Sequence, residues 1–276
     1  MKIEYKNGNV YELEYNDEKH TYVVEGNKIP SVTRVIDSCF PKYLTDWAVK
    51  EGADFFKQSL EPYRLAPTED IGTFMLPAKV VDHIYKGIQT ANKTISWEAA
   101  DVGSAVHDWI SDGIKWKLGE GEMPEMPKDE GAINCINAFK KWARNVKPEW
   151  LMTEEKIYYH DGNNIHNFAG TVDAVAKIGG KVCVIDFKTS KKIYKPYYLQ
   201  VVAYQYALRE MYGWPRDAKG IILRLDKETG EYQEKRFDPT GYIDTFFHCL
   251  DIKRWSSKRI PSTKWEFSEE LKGPDT

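Results

Sequence analysis

An α/β fold with a mixed central β-sheet flanked by helices is the class this sequence predicts, with an N-terminal β-hairpin and helical elaboration added to it. Three observations carry that reading. The second half of the chain patterns as strand–strand–strand–helix–strand–strand–helix, preceded by helices. Residues 1–30 instead alternate apolar and polar side chains between turn signals at Asn7-Gly8 and Gly26-Asn27. At the centre, Gly179-Gly180 joins two apolar runs, and a pair of glycines supplies the positive φ angles of a tight hairpin turn.

In chain order, short strands are predicted near 2–6, 10–15, 20–24 and 27–30. Ser31 is placed to cap a helix over Val32–Cys39, which Pro41 ends. A second helix is predicted over Leu44–Ser59, with Trp47, Ala48, Phe55 and Phe56 among its apolar positions. Residues 60–95 carry Pro62, Pro67 and Pro77 with weak periodicity, and read as an irregular helical lobe or a mobile flap. Trp97, Ala100, Ala105, Trp109 and Ile110 recur at three- or four-residue steps and predict a long helix over 97–118. A Gly/Pro-rich loop at 119–127 leads to a helix near 129–146. Strands near 151–159, 166–177 and 181–188 follow, then a helix over 197–212 that Pro196 is suited to start. Strands near 217–225 and 231–237 and a helix over about 240–257 complete the pattern. The organisation expected is an N-terminal elaboration over 1–95, a core over 96–260 and a polar tail over 261–276.

The register of the central hairpin follows by counting outward from its turn. With Ile178 opposite Lys181, Lys177 faces Val182, Val175 faces Val184 and Asp173 faces Asp186. Side chains alternate along a strand, so Asp173, Asp186 and Lys188 share one face. Val172, Ala174, Ala176, Cys183, Ile185 and Phe187 form the other, which is expected to be the buried side. Carboxylates directly opposite each other repel, and a divalent cation between them turns that repulsion into binding, because hard cations prefer carboxylate oxygens. An exposed carboxylate at a strand end is the plain alternative. It leaves unexplained why Asp186 interrupts the apolar run from Val182 to Phe187.

Bulk properties exclude several classes. The 276 residues are 42% hydrophobic and 29% charged, enough for a sizeable core without covalent staples. The formal net charge of −3 gives no global sign of a polyanionic partner, yet from Lys177 to Lys195 six lysines face the single Asp186. Cys39, Cys135, Cys183 and Cys249 form no C-x-x-C pair, so neither a zinc ribbon nor a disulfide framework is expected. No apolar run approaches the ~18 residues of a membrane span, and the first residues lack a signal-peptide core. A cytoplasmic protein with no membrane partner is the expectation.

Five features then stand in order: Gly103-x-x-x-His107 in the long helix, Glu154-x-x-Ile157, Gly170-x-x-Asp173, Asp186-x-Lys188 in an apolar strand, and Gln200-x-x-x-Tyr204, one turn apart on a helix face. The set resembles the RecB-type exonuclease branch of the PD-(D/E)xK nuclease superfamily across roughly residues 97–210. The stretch HTYVVEGNKIPSVTRVID further resembles the start of nucleases carried by bacterial viruses. The resemblance implies a restriction-endonuclease-like core and a divalent-metal-dependent DNA exonuclease that leaves 5′-phosphates, in recombination, repair or replication of a phage or bacterium. DNA, single-stranded or with a free end, is the implied partner, alongside a recombination or single-strand-binding protein. Some members of the branch hold an iron–sulfur cluster through one early and three late cysteines. Only Cys249 lies in the last 90 residues here, so no iron–sulfur cluster is expected.

The chemistry can also be argued directly. Phosphodiester hydrolysis needs an activated water, neutralisation of the phosphoryl charge and help for the departing oxygen. Asp173 and Asp186 are expected to bind Mg²⁺ or Mn²⁺, with the backbone carbonyl of Phe187 as a further ligand. His107 adds a nitrogen, which tilts the site towards Mn²⁺. Lys188 is expected to orient the water or help deprotonate it. Glu154 rather than Glu155 is the expected catalytic carboxylate, since neighbours in a regular strand face opposite sides. Gln200 and Tyr204 position the lysine or a phosphate in this reading. Lys191, Lys192 and Lys195 lie where a phosphate backbone must approach, interleaved with Tyr194, Tyr197 and Tyr198 as base-stacking groups or ordinary packing. Two other readings stay open: a structure-specific endonuclease of the same fold, and a non-catalytic nucleic-acid-binding subunit.

Overall fold

The computed structural model describes residues 1–17, 19–41, 45–61 and 76–258, without the side chains of 45–47, 89 and 92–99. Pro62, Pro67, the Trp47 and Trp97 side chains and the tail expected at 261–276 lie outside the described residues. Four strands, β1 (Lys2–Glu4), β2 (Val10–Asn16), β3 (Thr21–Val24) and β4 (Asn27–Ile29), form an antiparallel sheet in chain order. Helices α1 (Val32–Cys39), α2 (Thr45–Leu60), α3 (Ala78–Leu118) and α4 (Glu130–Val146) follow. The main sheet has the order β5 (Glu149–Tyr159), β6 (Phe168–Ile178), β7 (Lys181–Lys188), β8 (Lys219–Leu225) and β9 (Tyr232–Phe237). Helix α5 (Lys195–Tyr212) joins β7 to β8, and α6 (Ile243–Ser256) ends the described chain. Because α5 carries the chain back along the sheet, β7 and β8 run parallel, whereas the strands joined directly are antiparallel.

Local sequence accounts for the boundaries that matter to the site. The Ser31 hydroxyl caps α1 by accepting from the Arg34 amide at 3.3 Å, and the Ser31 backbone bridges to Ala169 in β6. Gly179 and Gly180 take φ angles of 58° and 77° and turn β6 into β7 with the register counted from the sequence, Lys177 against Val182 and Val175 against Val184. The ladder stops at Ala174 against Ile185, however. Asp173 is not paired with Asp186; its carboxylate instead accepts from the Phe187 amide, closing the end of the ladder with a side chain.

Two further expectations need correction. The hairpin was expected to bury one face, but it is a central element and both faces are covered. Val172, Val175 and Val184 pack in a core with α1, α5, α6 and the N-terminal sheet, including Leu13, Tyr22, Val32, Tyr204 and Phe246. Ala174, Ala176, Cys183, Ile185 and Phe187 pack on the other side with α3 and α4 through Val106, Ile110, Phe139 and Trp142. Asp186 is fully buried within this arrangement. The second correction concerns residues 78–95, which are neither irregular nor a separate lobe but the first half of the 41-residue α3. Periodicity missed it because Val81, Tyr85 and Ile88 are exposed, so no clean apolar stripe marks the helix. The same reason removes Phe56 from the expected buried face of α2, where it is exposed.

Candidate metal centre and active site

Strand β5 supplies the first carboxylate through a local departure from regular geometry. Thr153 pairs with Ala174 and Glu155 with Val172, while Glu154 between them takes a left-handed φ of 50°. A residue other than glycine in this region is strained. The Thr153 hydroxyl donates to the Asp173 carbonyl at 2.7 Å and holds the two strands together beside the distortion. Glu154 thus lies mid-strand rather than opening one. Glu155 faces elsewhere and accepts from the Tyr212 hydroxyl at 2.5 Å.

Asp173 is the hub. One carboxylate oxygen accepts from the Phe187 amide at 2.8 Å and lies 3.6 Å from Nδ1 of His107 on α3. His107, Glu154 and Asp173 each present a ligand atom, and these atoms all lie within 4.8 Å of one another. The Glu154 carboxyl is pushed up to about 7, first by burial and then by the neighbouring Asp173 charge. Two carboxylates and an imidazole nitrogen in such proximity form a donor set suited to Mg²⁺ or Mn²⁺. Phe187 enters the geometry through its amide N–H, on the Asp173 side chain.

Asp186 stands apart from that cluster. Lys188 Nζ lies 2.8 Å from its Oδ1 and 2.7 Å from its Oδ2. Burial raises the Asp186 carboxyl above its usual range even with Lys188 beside it. Burial works against the Lys188 charge, but Asp186 and Asp173 more than offset it and hold the ammonium above its ordinary value. The Tyr197 ring lies 5.0 Å from Lys188 Nζ on the side of α5.

From α5, Gln200 Nε2 donates to the Tyr204 hydroxyl at 2.9 Å, and both side chains are buried. Tyr204 is held far from ionisation by burial and then by the charges of Asp173 and Asp186, so it backs the carboxylates as a neutral group. Gly170 explains its own identity here. A Cβ at this position would lie 2.9 Å from Tyr204 Cε1 and 3.3 Å from Val32 Cγ2. Lys191, Lys192 and Lys195 are exposed between β7 and the first turn of α5, with Lys192 Nζ 5.2 Å from the Tyr194 ring and Tyr194 edge-on to Tyr197.

Sequence reasoning missed Lys156 and Tyr15. Lys156 Nζ lies 3.9 Å from Glu154 Oε2 and 4.6 Å from the Tyr15 ring, which reaches in from the N-terminal sheet. One signal was present: Glu154-x-Lys156 repeats, on β5, the acid–lysine spacing of Asp186-x-Lys188 on β7.

A model of the PD-(D/E)XK nuclease superfamily matches residues 128–266. That span contains Glu154, Asp173, Asp186, Lys188, Gln200 and Tyr204, and His107 precedes it. No curated protein matches the chain. Among solved structures, the crystal structure of SSO0001 is similar at 15% identity over 75% of this chain and 86% of that one, with a TM-score of 0.34; a likeness of that size carries no argument.

Proposed function

The chain belongs to the PD-(D/E)XK nuclease superfamily, and from that premise we propose that it is a divalent-metal-dependent DNA exonuclease that leaves 5′-phosphates. The observation that carries the metal-dependent nuclease reading is the meeting of His107, Glu154 and Asp173 within 4.8 Å, beside the buried Asp186–Lys188 pair. His107, Glu154 and Asp173 would hold Mg²⁺ or Mn²⁺, with Asp186 as a further donor. The bound ion supplies Lewis-acid neutralisation of charge on the phosphoryl oxygens.

The residues of the chain do the rest. Asp186 keeps Lys188 protonated, so Lys188 acts as a cation: it orients the attacking water by hydrogen bonding and offsets charge on the scissile phosphate. Gln200 and Tyr204 fix the wall behind the carboxylates through their mutual hydrogen bond. Lys191, Lys192 and Lys195 offer ammonium groups to the sugar–phosphate backbone. The exonuclease mode, and a place in recombination, repair or replication of a phage or bacterium, rest on the five ordered motifs from Gly103-x-x-x-His107 to Gln200-x-x-x-Tyr204.

The test is digestion of linear DNA labelled at either end, alongside circular single-stranded and duplex DNA, with Mg²⁺ and Mn²⁺ in turn. Progressive loss from an end with intact circles is expected. Cleavage of circles would make the enzyme an endonuclease, and no hydrolysis with either metal would remove the nuclease reading altogether.

A further inference from the structure

We infer that Lys156 binds a backbone phosphate of the DNA strand in a cleft between the N-terminal sheet and α3, on the opposite side of the metal-binding residues from Lys191, Lys192 and Lys195. This rests on the nuclease reading above and adds a second contact point for the same substrate.

The argument begins with the surroundings of the ammonium group. Lys156 belongs to β5, the edge strand of the main sheet, and its side chain is 20% exposed. Among the described residues its one ion pair is with Glu154, at 3.9 Å. Glu154 is also one of the three residues whose ligand atoms converge. When Glu154 serves a divalent cation, its charge is committed there, and a largely buried ammonium is left short of an anion. An uncompensated charge in such a place is costly, and the anion that arrives with the substrate is phosphate.

The other walls of the cleft favour an anion in the same place. Tyr15 offers its ring 4.6 Å from Lys156 Nζ, a cation–π contact that holds the lysine stem in position. The Tyr15 hydroxyl hydrogen-bonds Nδ1 of His20 at 2.8 Å, and its ring packs against Tyr22 with centroids 4.8 Å apart. Tyr22 in turn hydrogen-bonds Thr171 in β6 at 2.8 Å, so the N-terminal sheet is anchored beside the site. From α3, Lys115 bears electrostatically on both Glu154 and Lys156, which places a second cation on the opposite wall. The exposed lysines after β7 approach from the other flank. A strand lying over the carboxylates would therefore meet cations on both sides of the scissile phosphate.

Binding of a fluorescent oligodeoxynucleotide is measured by anisotropy across a salt series, with Ca²⁺ in place of the hydrolytic ions. Lys156→Met is expected to weaken binding several-fold and to reduce the slope of log affinity against log salt by about 0.7–0.9, the value for one phosphate contact. In steady-state cleavage KM should rise more than kcat falls. Lys156→Arg should restore both, and Lys177→Met, which removes an exposed lysine near the hairpin tip, should leave both unchanged. Lys156→Gln carries the test if Lys156→Met does not fold. A wild-type slope and KM in the Lys156 variant, while the wild type binds and cleaves DNA, would overturn the assignment and leave the nuclease reading intact. A wild type that neither binds nor cleaves DNA with any of the metals would overturn both.

Discussion

Lys188 Nζ sits within 2.8 Å of both carboxylate oxygens of Asp186, a side chain with no exposure to solvent. The pair places a protein cation against the buried carboxylate, with Asp173 nearby adding negative charge.

Removing one member of this pair should therefore cost stability as well as activity. Lys188→Met leaves a buried carboxylate without its partner, for which about 3–5 kcal/mol is the usual loss. The double variant Asp186→Asn/Lys188→Met is expected to be more stable than Lys188→Met alone, because no orphan charge remains. Urea denaturation of the single and double variants in the presence of a chelator measures the coupling. Strict additivity of the two substitutions would show that the contact contributes nothing.

Gly170 and Tyr204 tie two of the sequence motifs together by contact. In Gly170→Ala the new methyl carbon would sit 2.9 Å from the buried Tyr204 ring, with Val32 3.3 Å away on the same carbon. Overpacking of that kind costs about 1–3 kcal/mol. The ring can yield only by shifting its hydroxyl away from Gln200. Lower thermal stability and a reduced cleavage rate are expected together in Gly170→Ala. Tyr204→Phe should lose about 1–3 kcal/mol for a different reason, the buried Gln200 amide left without its acceptor.

Metal-free stability should fall as pH rises across the neutral range. Burial and Asp173 raise Glu154 from 4.5 to about 7 in the folded state. Between those values the folded chain binds more protons than the unfolded one, so its stabilisation is complete at low pH and is lost as pH rises through about 7. Asp186, also raised by burial, adds to the same slope. Glu154→Gln should flatten the dependence in part, and Glu155→Gln should not. Denaturation midpoints measured with a chelator across this window decide it. An unchanged slope in Glu154→Gln would sink the explanation.

Much of this was legible because local rules acted without tertiary interference. The Gly179-Gly180 turn set the β6–β7 register, and Ser31 marked the start of α1. The five motif positions were visible from side-chain type and spacing. What could not be read arises from contacts between distant segments. The extra length of α3 was hidden because its outer half keeps Val81, Tyr85 and Ile88 exposed. The left-handed Glu154 leaves no mark on residue type, since glutamate is not a residue that favours such angles. The Tyr15–Lys156 contact joins the N-terminal sheet to β5, and strand alternation carries no information about such a meeting.

His107 is where metal choice should be set. Its Nδ1 lies 3.6 Å from Asp173 Oδ2 and is the nitrogen in an otherwise oxygen donor set. Imidazole raises affinity for Mn²⁺ more than for Mg²⁺, which prefers an all-oxygen shell. In His107→Ala, Mn²⁺ affinity is expected to fall by more than about tenfold, with a smaller loss for Mg²⁺. Because α3 packs through Val106 and Ile110 on the opposite side from this histidine, the fold should persist and the loss should appear in binding itself. Calorimetric titration of each metal into wild type and His107→Ala, without DNA, reads the two affinities directly. Equal losses for both metals would mean that the imidazole orients Asp173 rather than ligating the ion.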